Sequence, residues 1–401
     1  MRASIASRTC SPPWRSRRAG WRAADDAAPD TERPVKPRVL VAMSGGVDSS
    51  VAAAMLVRDG YDVVGATMKL HGDGADVPDK PCCSLDSVND ARRIAERIGI
   101  PHYVLNLEKS FTRDVLDDFV SEYARGRTPI PCVRCNTFTK FSDLVRKADA
   151  IDARFVATGH YARIVNGELN RGADDAKDQT YFLWGIERAA ISRMLLPVGE
   201  LTKTETRTLA HELGLNLVAE KPESQEICFV PDGNYARILE EHLGADAPSL
   251  SRGPIVLGDG TVVGEHAGFA HYTIGQRRGV PGGFREPMFV TAIRAEDRAV
   301  VVGPRAELFG RGVVARGLNW LVDPAPSMGD RVGVRVRHRA PIVMGQIIRM
   351  GDDEIEIALD AAVRAIAPGQ SLVMYDGDRV LGGGFIEASR SARALLPMLA
   401  S

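Results

Sequence analysis

Val39-Leu40-Val41-Ala42-Met43-Ser44-Gly45-Gly46-Val47-Asp48-Ser49-Ser50 runs from an apolar strand, through a Gly-rich turn, into an Ala- and Val-rich segment. Residues 39–42 predict a short buried strand. Residues 49–58 predict a helix, with Gly60 placed to close it. A strand, then Ser-Gly-Gly-Val-Asp-Ser-Ser, then a helix makes a site for an anion. Glycines let backbone N–H groups approach closely, the helix N-terminus adds positive potential, and Ser44, Ser49 and Ser50 add hydroxyl donors. Asp48 is the odd member, because a carboxylate beside phosphate repels unless a cation lies between. Bound magnesium would resolve that conflict.

The same alternation continues outward from this stretch. Residues 63–67, 103–107 and 155–158 predict strands, and residues 87–98 and 111–123 predict helices. Val88, Ala91, Ile94, Ala95 and Ile98 keep helical spacing before Gly99. Strands alternating with helices imply parallel pairing, and hence an α/β doubly wound sheet. Ligands of such sheets sit beyond the carboxyl ends of the strands. Ser44 and Gly159-His160 both follow strands directly and are expected to face one crevice. Beyond about residue 231 helical periods fade, and short Val- and Ile-rich runs appear at 254–256, 288–293, 299–302, 331–336 and 342–348. These predict two small β-rich domains, the last a β-barrel. The expected divisions are 1–36, 37–230, 231–308 and 309–391.

With 401 residues the chain is long enough for two or three domains. No apolar run approaches bilayer-spanning length, which argues against a membrane protein. A net charge of -1 carries no global sign of nucleic-acid binding, so any RNA contact must come from local Arg and Lys clusters. Residues 1–22 are rich in Arg, Ser and Ala, hold no acid and lack an apolar core, which excludes a secretory signal. That composition fits an organellar transit segment, a disordered extension or a misassigned start. Six cysteines, at 10, 82, 83, 132, 135 and 228, are too sparse for a disulfide scaffold. They fit a reducing, cytoplasmic setting and thiol chemistry.

Cys132 and Cys135 form a CxxC in the Pro-rich stretch 128–136, expected to be an extended loop. Three readings are open: half of a structural zinc site, a thioredoxin-type redox pair, or one thiol acting with Cys228 through a transient disulfide. Adjacent Cys82-Cys83 is a poor second pair for zinc, and Pro131 argues against a CxxC that opens a helix.

The phosphate loop lacks the Lys of a Walker P-loop. It resembles instead the pyrophosphatase-type loop of enzymes that split ATP between its α and β phosphates. Taken with Thr128 to Asn136, Ala157-Thr158-Gly159-His160-Tyr161, residues 177–183 (Lys-Asp-Gln-Thr-Tyr-Phe-Leu), Leu196-Pro197-Val198-Gly199, Ile227-Cys228-Phe229 and Tyr272-Thr273-Ile274-Gly275-Gln276-Arg277, the chain from Pro37 onward resembles the tRNA-specific 2-thiouridylase family.

That resemblance implies a reaction. ATP adenylates the C2 oxygen of the wobble uridine, and sulfur from a cysteine persulfide replaces it. Cys228 matches the persulfide-bearing cysteine, and Cys135 the nucleophile that resolves it. Ala42, Met43, Ser44, Gly45, Gly46, Val47, Asp48, Ser49, Met68 and Gly159 match ATP-binding positions. Ile130, Pro131 and Cys132 match the segment that meets the target base. His160, Lys177, Asp178, Gln179, Arg337, His338 and Gln370 match tRNA contacts. The implied partners are tRNA and a persulfide donor, a cysteine desulfurase or relay protein. Many members carry Asp where Cys132 stands, so here a third thiol replaces a proton-handling group. Cys132, Cys135 and Cys228 then also offer three ligands to an iron–sulfur cluster. Arg331, Arg335, Arg337 and Arg339 share one face of an expected strand, which fits phosphate contacts. Two rival readings remain: an adenylating enzyme with a non-sulfur substrate, and a tRNA-binding protein whose loop is only structural.

Overall fold

The computed structural model describes residues 36–70, 85–222, 227–230 and 233–391. Nearly all of the transit-like stretch, with Cys10, Cys82 and Cys83, lies outside these residues. The chain enters at β1 (Lys36–Ala42), passes the phosphate loop into α1 (Val47–Arg58), and returns as β2 (Tyr61–Lys69). Next come α2 (Leu85–Ile98), β3 (His102–Asn106), a bulged helix α3 over residues 108–124, a second bulged helix α4 over residues 131–149, and β4 (Phe155–Ala157). A hairpin of β5 (Ala162–Val165) and β6 (Glu168–Arg171) precedes the short strand β7 (Met194–Leu195) and α5 (Lys203–Glu212). The parallel sheet runs β3-β2-β1-β4-β7, so the doubly wound expectation holds. Val39, Val41 and Val156 have no exposed surface, as strands covered by helices on both faces require.

After the helix α6 (Tyr235–Leu243), β8 (Gly253–Leu257), β9 (Val262–His266), β10 (Met288–Arg294) and β11 (Ala299–Pro304) form a four-stranded sheet ordered β10-β11-β8-β9. The last six strands are β12 (Phe309–Trp320), β13 (Arg331–Arg335), β14 (Val343–Met350), β15 (Glu354–Arg364), β16 (Ser371–Asp376) and β17 (Arg379–Arg390). They run β12-β15-β14-β13-β16-β17, and β12 pairs again with β17, closing a barrel without free edges. The hairpin β5–β6 is appended to this barrel by the pairing of Arg379 with Asn170. One apolar core runs through both, joining Tyr181 and Trp184 to Val373, Tyr375 and Val380.

Three expectations need correction. The stretch 128–136 is not wholly extended: Pro131–Arg134 is helical, and Cys135–Phe141 continues as a π-type turn. Pro131 occupies the first helical turn, where its missing N–H costs nothing, so it starts the helix instead of barring one. The helix over residues 108–124 is likewise interrupted by a π-type turn at Thr112–Leu116. The four arginines do not share a solvent face either. Arg335 is buried and bonded to Asp178 at 2.7 Å, Arg331 pairs with Asp360, and Arg337 lies past the end of the strand and donates to the Ala365 carbonyl at 2.8 Å.

Asp178 has no exposed side-chain surface, and it also accepts from Gly172 N, Thr180 N and the Thr180 hydroxyl. Removing Arg335 leaves Asp178 to the more distant Arg171, 3.6 Å away, and breaking a buried, hydrogen-bonded ion pair costs up to about 3–5 kcal/mol. Arg335→Met is therefore expected to lower the urea midpoint with an unchanged m-value. A midpoint within a few tenths molar of the parent would mean that water relaxes into the site.

Candidate active site

β1 and β4 are neighbours where the strand order turns back, so the loops leaving their carboxyl ends face each other. A cavity of about 350 Å³ opens there. The phosphate loop lines it with Ala42, Met43, Ser44, Asp48 and Ser49, and β2 contributes Met68. Gly159, His160 and Gln179 line the side beyond β4, while Pro131, Cys132 and Cys135 enter from α4 and Cys228 from residues 227–230. The expected nucleotide loop and the three expected cysteines thus meet in one space.

The loop is shaped by Gly45, whose φ of 69° suits glycine, and where a Cβ would lie 2.3 Å from the Ser87 carbonyl. Gly46 caps α1 in extended geometry. Ser44 N donates to Ser49 Oγ at 3.2 Å, and the Ser50 hydroxyl donates to the Gly46 carbonyl at 2.9 Å, which fixes the turn. Gly45, Gly46, Val47 and Ile130 support the cavity wall without lining it. Gly159 passes so close that a Cβ there would meet Asp48 C and Ser49 N at 2.6 Å.

Asp48 has a cation of its own. Lys203 Nζ donates to both carboxylate oxygens, at 2.7 and 2.8 Å, and Tyr161 OH donates to Oδ1 at 2.8 Å. Burial and the Asp48 charge hold the Tyr161 hydroxyl protonated well beyond the usual phenol range. Lys203 was not found from the sequence, yet a signal was present. Thr202 and Glu205 form a capping box that starts α5 and sets Lys203 in its first turn, aimed at the loop. Among the described residues Asp48 Oδ2 accepts from Lys203, and a carboxylate oxygen with a second lone pair could also hold a magnesium ion whose other ligands would be phosphate and water. A second lysine, Lys221, bonds the Gly45 carbonyl at 3.2 Å and pairs with Asp90 of α2.

Lys140, also unforeseen, reaches the cavity because the π-type turn sets it five residues beyond Cys135. His160 bonds the Thr158 hydroxyl through Nδ1 at 2.7 Å and stacks obliquely on Phe141. Burial, then the Lys140 charge, pushes its pKa down to about 3, so it acts as a neutral imidazole. A lowered histidine pKa favours the folded state above the ordinary value of 6.5, and that stability drains away as pH falls toward 3. Melting temperature between those limits should therefore fall further for the parent than for His160→Gln. Parallel curves would remove His160 from the account.

Cys132 is exposed, Cys135 buried and Cys228 intermediate. Cys228 is anchored through its neighbour Phe229, whose ring sits edge-on to Phe111 and Phe119 at 5.6 and 5.1 Å. The described residues hold no group of three or more His, Cys, Asp or Glu arranged to bind a metal, so the cysteines do not form a ready cluster site.

Other expected contacts lie outside the cavity. Gln179 accepts from Tyr161 N at 2.9 Å and does line it, but Asp178 is turned inward to Arg335 and Lys177 lines no part of it. His338 packs on the Phe182 ring at 4.5 Å, Arg337 is exposed, and Gln370 faces the chain just before Ile130. No helix among the described residues is long and apolar enough to cross a membrane.

Residues 37–232 match a family described as the tRNA methyl transferase HUP domain, 238–304 its PRC-barrel domain, and 311–386 an aminomethyltransferase beta-barrel domain. A tRNA-specific 2-thiouridylase MnmA of Halothermothrix orenii is 45% identical, over 87% of this chain and 99% of that protein. One of Koribacter versatilis, with the same name, is 46% identical over 87% and 98%.

Proposed function

Because the chain belongs to the tRNA-specific 2-thiouridylase MnmA family, a family of sulfurtransferases, we propose that it builds 2-thiouridine through an adenylated uridine and a persulfide on Cys228. The observation that carries this reading is the single cavity holding Ser44, Asp48 and Ser49 together with Cys135 and Cys228. A methyl transfer, as the family description words it, has no use for a phosphate loop beside three cysteines.

The C2 oxygen of the wobble uridine attacks the α-phosphorus of ATP, releasing pyrophosphate and leaving AMP on that oxygen. The phosphate loop, with the α1 N-terminus and Lys203 behind it, holds the nucleotide and offsets its charge. Magnesium, held by Asp48 and the phosphates, would neutralise charge on the departing pyrophosphate. The terminal sulfur of the Cys228 persulfide then attacks C2, and AMP departs with the former carbonyl oxygen. Cys135 thiolate attacks Cys228 Sγ, the S–S bond to the base breaks, and its electron pair becomes the thiocarbonyl. The two cysteines are left as a disulfide, which an external dithiol reopens. Ile130, Pro131 and Cys132 meet the base, with Cys132 standing at the mouth of the cavity. Neutral His160 and Gln179 orient tRNA at the rim, and Lys177, Arg337 and His338 contact it further out, while Asp178 acts through the loop it holds in place.

The deciding experiment incubates the protein with tRNA, ATP, magnesium and a persulfide-charged cysteine desulfurase, followed by nucleoside mass spectrometry. A gain in 2-thiouridine that requires ATP and is matched by AMP is the expected result. ATP cleavage without thiolation would point to the non-sulfur adenylating reading. No ATP cleavage in the presence of tRNA would favour the plain binder.

A further inference from the structure

Immediately before the cysteine helix, the backbone of residues 127–129 is gripped by the last barrel. Gln370 Nε2 donates to the Thr128 and Pro129 carbonyls at 3.1 and 3.2 Å. Thr128 N donates back to the Pro368 carbonyl at 2.9 Å. Arg127 forks onto the Glu387 carboxylate at 2.6 and 2.9 Å, and its Nε reaches Glu122 at 2.7 Å. At Gly369, with φ of 89°, an added Cβ would lie 2.8 Å from the Thr128 carbonyl. Gln370 is itself held from behind, since Ile386 N donates to its carbonyl at 2.7 Å. These bonds join β17 and the turn before β16 to the three residues that precede Ile130, Pro131 and Cys132.

We propose that Gln370 is a positioning residue: its amide fixes the chain at residues 128–129 and so sets how far the CxxC helix projects into the cavity. The physical argument is one of leverage. Pro129 and Pro131 leave the segment few soft torsions, so a shift of the Thr128 and Pro129 carbonyls passes directly to Cys132 and Cys135. A carbonyl pair fixed by one amide on a closed barrel moves only if the barrel moves. Whatever grips the barrel from outside, tRNA above all, thereby sets the placement of the reacting thiol. This rests on the sulfur-transfer reading of Cys135, while the alkylation measurement below does not.

The test compares Gln370→Ala and the near-isosteric Gln370→Glu, which has no N–H to donate, with the parent. Single-turnover thiolation is expected to slow roughly ten- to a hundredfold, as for other misplaced reacting groups, with the tRNA KM nearly unchanged. In free protein without tRNA or ATP, alkylation of exposed Cys132 by iodoacetamide should change rate several-fold in both variants. If Gln370 only touches tRNA, KM rises while kcat and alkylation stay at parental values, and the proposal falls. If the parent makes no 2-thiouridine, the parent reading fails, yet the alkylation shift still decides whether Gln370 positions the helix. Should Gln370→Ala melt early, Gln370→Glu with a parental melting temperature carries the comparison.

Discussion

Cys135→Ser and Cys228→Ser are each expected to lower 2-thiouridine formation by at least roughly a thousandfold, as loss of a nucleophile does. In the same variants, formation of AMP-linked tRNA in a single turnover persists. The two halves of the reaction separate because they draw on different walls of the cavity. Adenylation needs the phosphate loop, Asp48 and Lys203, which are joined to one another by the Lys203–Asp48 pair. Sulfur delivery needs both cysteines, and serine oxygen can neither carry a persulfide nor attack the disulfide that joins Cys228 to the base. The variants also differ from each other. Cys228→Ser blocks loading, so no persulfide accumulates on incubation with the charged donor. Cys135→Ser loads but cannot release, so tRNA should remain covalently joined to Cys228 through a reducible S–S bond, visible as a mass shift lost on dithiol treatment. Cys228→Ser should alter melting little, since Cys228 is partly exposed, whereas Cys135→Ser sets a hydroxyl in a buried apolar cluster and should melt somewhat lower. Thiolation surviving in Cys228→Ser with the same donor would end the persulfide reading.

How much of this was legible beforehand depended on whether a local signal outweighed its surroundings. The strand–loop–helix at residues 39–58 could be read because Val39 and Val41 are buried on both faces and leave a continuous apolar run. The CxxC helix was misread by treating Pro131 as a breaker, when position within the helix decides what proline does. The β5–β6 hairpin was missed although Asn166-Gly167, with φ of 52° and 79°, is the dipeptide that favours a tight two-residue turn. Strand β12 was missed for a different reason. Register shifts at Gly310/Gly312 and between Val314 and Ala315 break the period of two that makes a strand visible. Arg335 illustrates the remaining limit: alternation placed it on a strand, but only the fold shows Asp178 waiting for it across the domain contact.

Within the phosphate loop, the two adjacent glycines are expected to behave oppositely. Gly45→Ala should destabilise the fold and abolish ATP cleavage, whereas Gly46→Ala should melt close to the parent. At Gly45 two penalties add. A left-handed φ of 69° costs an L residue roughly 1–2 kcal/mol, and the new Cβ would sit 2.3 Å from the Ser87 carbonyl, which is backbone and cannot swing aside. Relief requires α2 to retreat from the loop, and that breaks the contact of Lys221 with the Gly45 carbonyl as well. At Gly46 the backbone is extended, with φ of -98°, and the nearest atom to a Cβ is Ser44 Oγ at 3.5 Å, an ordinary contact. Gly159→Ala belongs with Gly45→Ala although it lies outside the motif. Its Cβ would meet Asp48 C and Ser49 N at 2.6 Å, so the start of α1 must shift and carry Asp48 away from Lys203. Overpacking of this kind costs roughly 1–3 kcal/mol in stability. Thermal melts of the three alanine variants, with pyrophosphate release in the presence of tRNA, decide the matter. Equal damage at Gly45 and Gly46 would mean that the loop is limited by contact with nucleotide and not by the packing of the protein around it.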